Sequence, residues 1–130
     1  MIFIDSDCII DFLKGRKNAE KILEEQDDEI ATSQINIFEV FQGIFKQKNI
    51  SDQEINSADS FFNSINVLPF DEKCGKVSAK IFSTLMKEGN IIEQNDCFIG
   101  AVMLKNNCNT IISNNEKHFS RIKGIKVIGY

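Results

Sequence analysis

Apolar residues in this chain fall into short unbroken runs, separated by stretches in which they recur every three or four positions. The run Met1-Ile2-Phe3-Ile4 shows no alternation, which predicts a strand over Met1–Asp5 covered on both faces, as in a parallel sheet. Cys8–Leu13 reads as a short helix stopped near Gly15, and Lys17–Gln26 as an amphipathic helix with Ala19, Ile22 and Leu23 on one side. Glu29–Thr32 is a second short strand, after which Ser33 begins a helix to about Lys48. Ser51-Asp-Gln-Glu54 has the spacing of a capping box and starts a helix to about Ser64. Asn66–Pro69 is strand-like, and its proline, which cannot donate to a ladder, makes it an edge. Asp71 caps a long helix to Lys87 with Gly89 as its stop, and Asn95 caps the next, to about Lys105. Asn109–Ser113 is a strand, Glu116–Phe119 a helical turn and Lys126–Ile128 a last strand. Strands alternate with helices without a linker or repeat. The expected architecture is therefore a three-layer α/β/α sandwich around a mostly parallel sheet, with residues 1–130 as one domain.

Three acids interrupt this apolar pattern. Asp5 ends the first strand, Glu39 lies in the helix after Ser33, and Asp96 opens the run Cys97–Leu104. Carboxylates packed against a core are costly unless paired, protonated or bound to a cation. No Lys or Arg neighbours any of them in sequence. In an open parallel sheet, sites form beyond the carboxyl ends of the strands, where strand order reverses. Asp5 and Ser113-Asn114-Asn115 both follow apolar strands at such ends. Glu39 does not share the face of Ile37, Phe41, Ile44 and Phe45, so it belongs at the margin of the core; from its helix alone it reads as a solvent-facing glutamate. Asp96 in a first helical turn also favours the helix dipole, by about 0.3–1 kcal/mol. Gly100 and Ala101 after it allow the helix to approach the sheet closely. Asp7 is placed to support Asp5.

Composition narrows the chemistry. The chain has 130 residues, 42% hydrophobic and 26% charged, as in an ordinary soluble domain. No apolar run nears the roughly 18 residues of a membrane span, and the N-terminus lacks the basic segment and cleavage site of a signal peptide, so a cytoplasmic protein is expected. Four scattered cysteines form no Cys-x-x-Cys pair and read as small core hydrophobes. His118 is the sole histidine and reads as a polar loop or helix residue, which disfavours a histidine-rich metal site or a Ser-His-Asp triad. Net charge is −4, but Lys105, Lys117, Arg121, Lys123 and Lys126 against Glu116 give residues 105–130 a local +4 and leave −8 on the rest. A basic end can meet a phosphate backbone while the acidic remainder holds metal; charge alone reads equally as a solvated surface.

Two like charges about 4 Å apart repel by about 4 kcal/mol at an effective dielectric of 20, so three gathered carboxylates call for a cation. Oxygen donors without His or Cys select Mg²⁺ or Mn²⁺. Such an ion can lower the pKa of a bound water and stabilise a leaving oxygen, which suits phosphodiester hydrolysis.

The order of these segments resembles the PIN-domain nucleases. Met1-Ile-Phe-Ile-Asp5-Ser-Asp7 is similar to the family's opening strand and first acid. Ser33 through Glu39 to Gly43 is similar to the segment of the second acid. Val67-Leu-Pro-Phe-Asp71, Ile92-Glu-Gln-Asn-Asp96 to Ala101, and Thr110 to Phe119 followed by Ile122 to Val127 match the later segments. The resemblance spans the chain and is closest to the VapC-type toxins of toxin–antitoxin pairs. It implies a Mg²⁺-dependent endoribonuclease that forms a homodimer and is neutralised by a cognate VapB-like antitoxin. By position, Asp5, Glu39 and Asp96 are the implied catalytic and metal-binding acids. Asn115 stands where many members have an Asp. It would add an oxygen but no charge, which puts a second metal in doubt. His118 stands where relatives often have an acid and is the implied RNA contact.

Phe41, Phe45, Phe61 and Phe62 are more rings than one core face needs, and adjacent Phe61 and Phe62 cannot point the same way. Packing on two sides of the core and an apolar patch covered by a partner both fit them. A non-catalytic PIN-like module that binds RNA or protein is the alternative function, favoured by Asn115 and opposed by the three intact acids. A receiver-like phospho-acceptor would need an Asp ending a middle strand and a Lys after a late one, which Val67–Phe70 and Ile111–Asn115 do not supply.

Overall fold

In the computed structural model, which describes residues 1–130, the five apolar runs become strands and pair in parallel throughout. The elements follow in the order β1 (Ile2–Ile4), α1 (Ser6–Leu13), α2 (Lys17–Glu24), β2 (Ile30–Ser33), α3 (Gln34–Phe45) and α4 (Asp52–Ser64). Then come β3 (Asn66–Leu68), α5 (Glu72–Lys87), α6 (Gln94–Lys105), β4 (Thr110–Ile112), α7 (Glu116–Phe119) and β5 (Lys126–Ile128). Strand order is β3-β2-β1-β4-β5. The chain winds outward from β1 to β3, then returns to the other side of β1 with β4. The reversal lies between β1 and β4, where Asp5 and Ser113 leave the sheet.

The strands are buried because each feeds both faces. Phe3, Ala31 and Ile111 enter one core with Leu85, Cys97, Val102 and Phe119. Ile2, Ile4 and Ile112 enter the other with Cys8, Ile9, Leu23, Val40 and Phe62. Helices therefore cover both sides, giving the three layers expected. All four cysteines are free and buried.

Local chemistry sets most helix ends. Asp71 accepts from the amides of Lys73 and Cys74, and Ser51 from those of Gln53 and Glu54. Gly89 takes φ +72°, open only to a residue without a Cβ penalty, and stops α5.

Three expectations need correction. Asn95 does not cap α6; Glu93 holds the N-cap position, without a side-chain bond, and Asn95 lies within the first turn. The buried stripe of α3 is Asn36, Val40 and Ile44, while Phe45 is 54% exposed, because the helix turns its polar Asn36 inward to meet Asp5 and Ser6. Gly100 does not serve approach to the sheet. A Cβ there would meet Ile122 Cδ1 at 2.7 Å and Ile125 Cδ1 at 3.6 Å, so its bareness admits the segment between α7 and β5.

Phe62 is buried against Phe41, their rings 6.2 Å apart, and Phe61 turns away to stack on Phe12 at 5.3 Å. The two adjacent rings point to different neighbours yet still meet edge to face, their centroids 5.9 Å apart. The aromatic excess emerges as exposed Phe45 and, at 57%, Phe38.

Candidate active site

Asp5 stands at the N-cap of α1, at the mouth of the central strand. The site grows around it. Its Oδ1 accepts from the Ser6 amide at 2.8 Å and from Asn36 Nδ2 at 3.3 Å, and its Oδ2 accepts from Ser113 Oγ at 2.7 Å. Ser113 follows β4 directly, so the strand beside β1 supplies this partner by register. The Asn115 amide in turn donates to Ser113 Oγ at 2.9 Å.

Asn36 reaches the site because Ser33 caps α3 and pairs with it in a reciprocal box. Its carbonyl oxygen accepts from the Ser33 amide and hydroxyl, and its nitrogen donates to Asp5 and, at 2.9 Å, to Ser6 Oγ. Ser6 Oγ then donates to Glu39 Oε1 at 2.7 Å. Glu39 is one turn beyond Asn36 on the same helix, so cap, amide and acid are set by one helical start. We expect Asn36→Ala to lower stability by about 1–3 kcal/mol, since it leaves Asp5 and Ser33 short of buried partners; thermal melts that match wild type would contradict this.

Asp96 lies in the first turn of α6 and is buried. Its Oδ2 lies 2.7 Å from His118 Nδ1 and 3.1 Å from Asn115 Nδ2. Asp7 accepts from the Asn114 amide at 2.9 Å and loosely from Ser113 Oγ at 3.4 Å, tying the loop after β4 to α1. Tyr130 fastens that loop from outside. Its amide donates to Asn114 Oδ1 and its hydroxyl to Asp11 Oδ2 at 2.6 Å.

The electrostatics are those of crowded acid with no Lys or Arg beside it; the basic group in contact is the His118 imidazole, on Asp96. Burial, then the charge of Asp7, push Asp5 up to about 8, against the opposing bonds from Ser113 and Ser6; Glu39 adds to the rise. Burial raises Asp7, Glu39 and Asp96 as well; for Asp96 it outweighs the bond from His118. No Lys or Arg pairs with any of the four. The basic partner Lys105 goes instead to Asp71.

No three Asp, Glu, His or Cys side chains converge closely enough here to hold one ion between them. The acids spend their oxygens on Ser6, Asn36, Ser113 and His118. The donor set nonetheless suits a hard cation. It consists of carboxylates with the Asn115 amide beside them, and the adjacent Cys8 thiol is pushed up to about 12 by burial and by Asp7, so it offers no thiolate. Mg²⁺ needs only one or two carboxylates and keeps waters at its other positions.

Of the residues singled out in the sequence, Asp5, Asp96 and Asn115 are held near the strand ends, and Glu39 joins through Ser6. Asn115 reads from the sequence as able to offer its carbonyl or hold a water; its side-chain nitrogen is engaged on Asp96, which leaves the carbonyl oxygen for either role. His118 is more than a polar helix residue, since it contacts Asp96 directly. Ser113 was placed at the site end of its strand, but its bond to Asp5 was not foreseen, and Ser6 and Asn36 were missed. The available clue was small polar residues at the ends of otherwise apolar strands, a pattern that also occurs in ordinary caps.

The PIN-domain family model matches residues 2–125. The chain is 31% identical to Ribonuclease VapC1 of Methanocaldococcus jannaschii over 134 aligned positions, covering 97% of this chain and 85% of that one. It is 30% identical to Ribonuclease VapC1 of Haemophilus influenzae, covering 95% and 92%. The crystal structure of VapBC2 from Rickettsia felis bound to a promoter DNA fragment superposes with a TM-score of 0.87 at 25% identity, over 100% of this chain and 99% of that one. A family model that matches residues 2–125, with a relative 31% identical over 97% of the chain, leaves one assignment: the chain belongs to the PIN-domain family, in its VapC ribonuclease branch.

Proposed function

We propose that this protein is a Mg²⁺-dependent endoribonuclease, the toxin of a type II toxin–antitoxin pair, acting in the cytoplasm as one PIN-like domain of residues 1–130. The observation that carries the reading is the cluster of Asp5, Glu39 and Asp96 at the reversal of strand order, raised in pKa by burial and without a Lys or Arg partner. Relatives named as VapC ribonucleases support the reaction, and the VapBC complexes among the structural neighbours support a VapB-like antitoxin as partner.

In this reading Asp5, Glu39 and Asp96 would hold the ion between them, one or two as direct ligands and the rest through its waters, Mn²⁺ substituting for Mg²⁺, with the Asn115 carbonyl as a further oxygen donor. When bound, the cation supplies charge for the phosphate and an acidified water at neutral pH. Ser113 and Asn36 fix the Asp5 carboxylate from both sides, so that its lone pairs stay aimed when the substrate arrives. Ser6 holds Glu39 in place, and a half-buried carboxylate of raised pKa can accept a proton from attacking water. Lys117, Lys123 and Lys126, in the basic last stretch of the chain, provide charge for the RNA backbone.

The apolar surfaces fit the partners. An open groove of about 1030 Å³ lies among α1, α2 and α4, away from Asp5, Glu39 and Asp96, with Phe12, Leu13 and Phe61 on its apolar side and Gln53, Asn56 and Ser57 on its polar side. It suits an amphipathic antitoxin segment. Exposed Phe38, Phe45, Met86 and Ile91 suit the homodimer. No helix is long and apolar enough to cross a membrane.

The deciding experiment is cleavage of total tRNA and rRNA by purified protein in Mg²⁺ and in EDTA. Discrete internal cuts should appear in Mg²⁺ and vanish on chelation. Intact RNA bound at micromolar protein without any cut would instead establish the non-catalytic module; only Asn115, in place of an acid, favours that second reading.

A further inference from the structure

His118 Nδ1 and Asn115 Nδ2 meet the same oxygen, Asp96 Oδ2, and also lie 3.1 Å from each other. Asp96 must be ionised to bind a cation, and an ionised carboxylate can only accept, so in that state the 2.7 Å contact places a proton on Nδ1. The Asn115 nitrogen then cannot donate to that ring nitrogen and gives its hydrogen to Asp96 as well. Both bonds end on Oδ2; none reaches Oδ1. The His118 side chain is only 25% exposed, and Phe119 beside it is wholly buried, so core packing of the short α7 turn sets where the imidazole points.

We infer that His118 is a positioning residue for Asp96. With Asn115 it locks Oδ2 and leaves Oδ1 as the oxygen offered to a divalent cation. This rests on the metal-site reading above and replaces the expected RNA contact with a role inside the protein. A carboxylate free to rotate must lose that freedom on binding an ion, whereas one already held does not. Partners of this kind commonly account for about 10–100-fold in metal affinity.

Because His118 is the only histidine in the chain, its ring nitrogens can be read in ¹⁵N spectra without overlap. Nδ1 should carry the proton in wild type and lose that preference in Asp96→Ala. Mn²⁺ alone serves as the probe of affinity, by calorimetry and by its paramagnetic resonance. His118→Ala should weaken Mn²⁺ binding about 10–100-fold. His118→Asn, whose amide nitrogen stands where Nδ1 stood, should restore it, while His118→Gln, which reaches the place of Nε2, should not. On RNA, kcat should fall with KM unchanged. An unprotonated Nδ1, His118→Ala binding Mn²⁺ as tightly as wild type or tighter, rescue by Gln but not Asn, or a change confined to KM would each overturn the inference. Should His118→Ala not fold, the contrast between Asn and Gln decides. A wild-type protein that takes up no Mn²⁺ would overturn the metal-site reading and this inference together; normal uptake that His118→Ala leaves intact overturns this inference alone.

Discussion

Asp5→Asn should silence RNA cleavage and, at the same time, stabilise the metal-free protein at pH 8. The two effects have one cause. Asp5 is a carboxylate driven by burial and by Asp7 to about 8, so at pH 8 the protein either carries a buried charge or binds a proton for it. Asparagine removes the charge and keeps the shape. Its carbonyl can keep the bonds from Ser6 and Asn36, and its nitrogen can donate to Ser113 Oγ, which then turns its hydrogen to Asp7 Oδ2 at 3.4 Å. A gain of about 1–3 kcal/mol in denaturant unfolding with EDTA is expected, in line with the cost of burying an uncompensated charge. The same change removes the carboxylate proposed to be a central metal ligand. Losing about 4 kcal/mol of charge stabilisation corresponds to about a thousand-fold in rate. Cleavage retained within tenfold would remove Asp5 from the site. Lost cleavage with a destabilised fold would mean that the acid is structural rather than strained.

The metal-free protein should also melt at lower temperature as pH rises from about 4 to about 8, and Mg²⁺ should cancel the trend. The sign follows from linkage. Asp5 has a folded pKa above its unfolded value of 3.8, so the folded state binds the proton more tightly. The stability this contributes is full below the ordinary aspartate range and gone once pH passes the folded value near 8. Burial raises Asp7, Glu39 and Asp96 in the same direction, so their contributions are lost with rising pH too. The sum is on the order of a few kcal/mol, and each 1 kcal/mol moves the midpoint of a domain this size by about 4 °C. Mg²⁺, on the proposed reading, should act oppositely, since a cation binds only ionised carboxylates. Its stabilising effect should grow with pH and be largest near 8. Scanning calorimetry from pH 5 to 8.5, with EDTA and with saturating Mg²⁺, checks both halves. A midpoint that climbs with pH in EDTA would show these acids to be compensated already within the protein.

Much of this was legible before any tertiary contact was known. Unbroken apolar runs alternating with helical periodicity define a parallel sheet between two helical layers, because a strand covered on both faces cannot afford an alternating polar side. The caps at Ser33, Ser51 and Asp71 are local, made within three residues, so local sequence suffices to find them. The misplaced cap at Asn95 shows the limit of that rule: a residue that can cap does so only where the chain actually turns into the helix, which for α6 is at Glu93. Asp5 and Asp96 stood out because acid within apolar sequence is costly wherever it lies.

What tertiary structure alone decided was pairing. Periodicity put Phe45 on the inner face of α3, yet the helix is rotated so that Asn36 faces Asp5, since unsatisfied buried carboxylate oxygens cost more than one exposed ring. Ser113 meets Asp5 across 108 positions, and His118 meets Asp96 across 22, through strand register and the packing of α7. No spacing rule relates such residues. Their identities say which bonds they can make; the order β3-β2-β1-β4-β5 decides that they make them with one another, because it brings the ends of β1 and β4 side by side where strand order reverses.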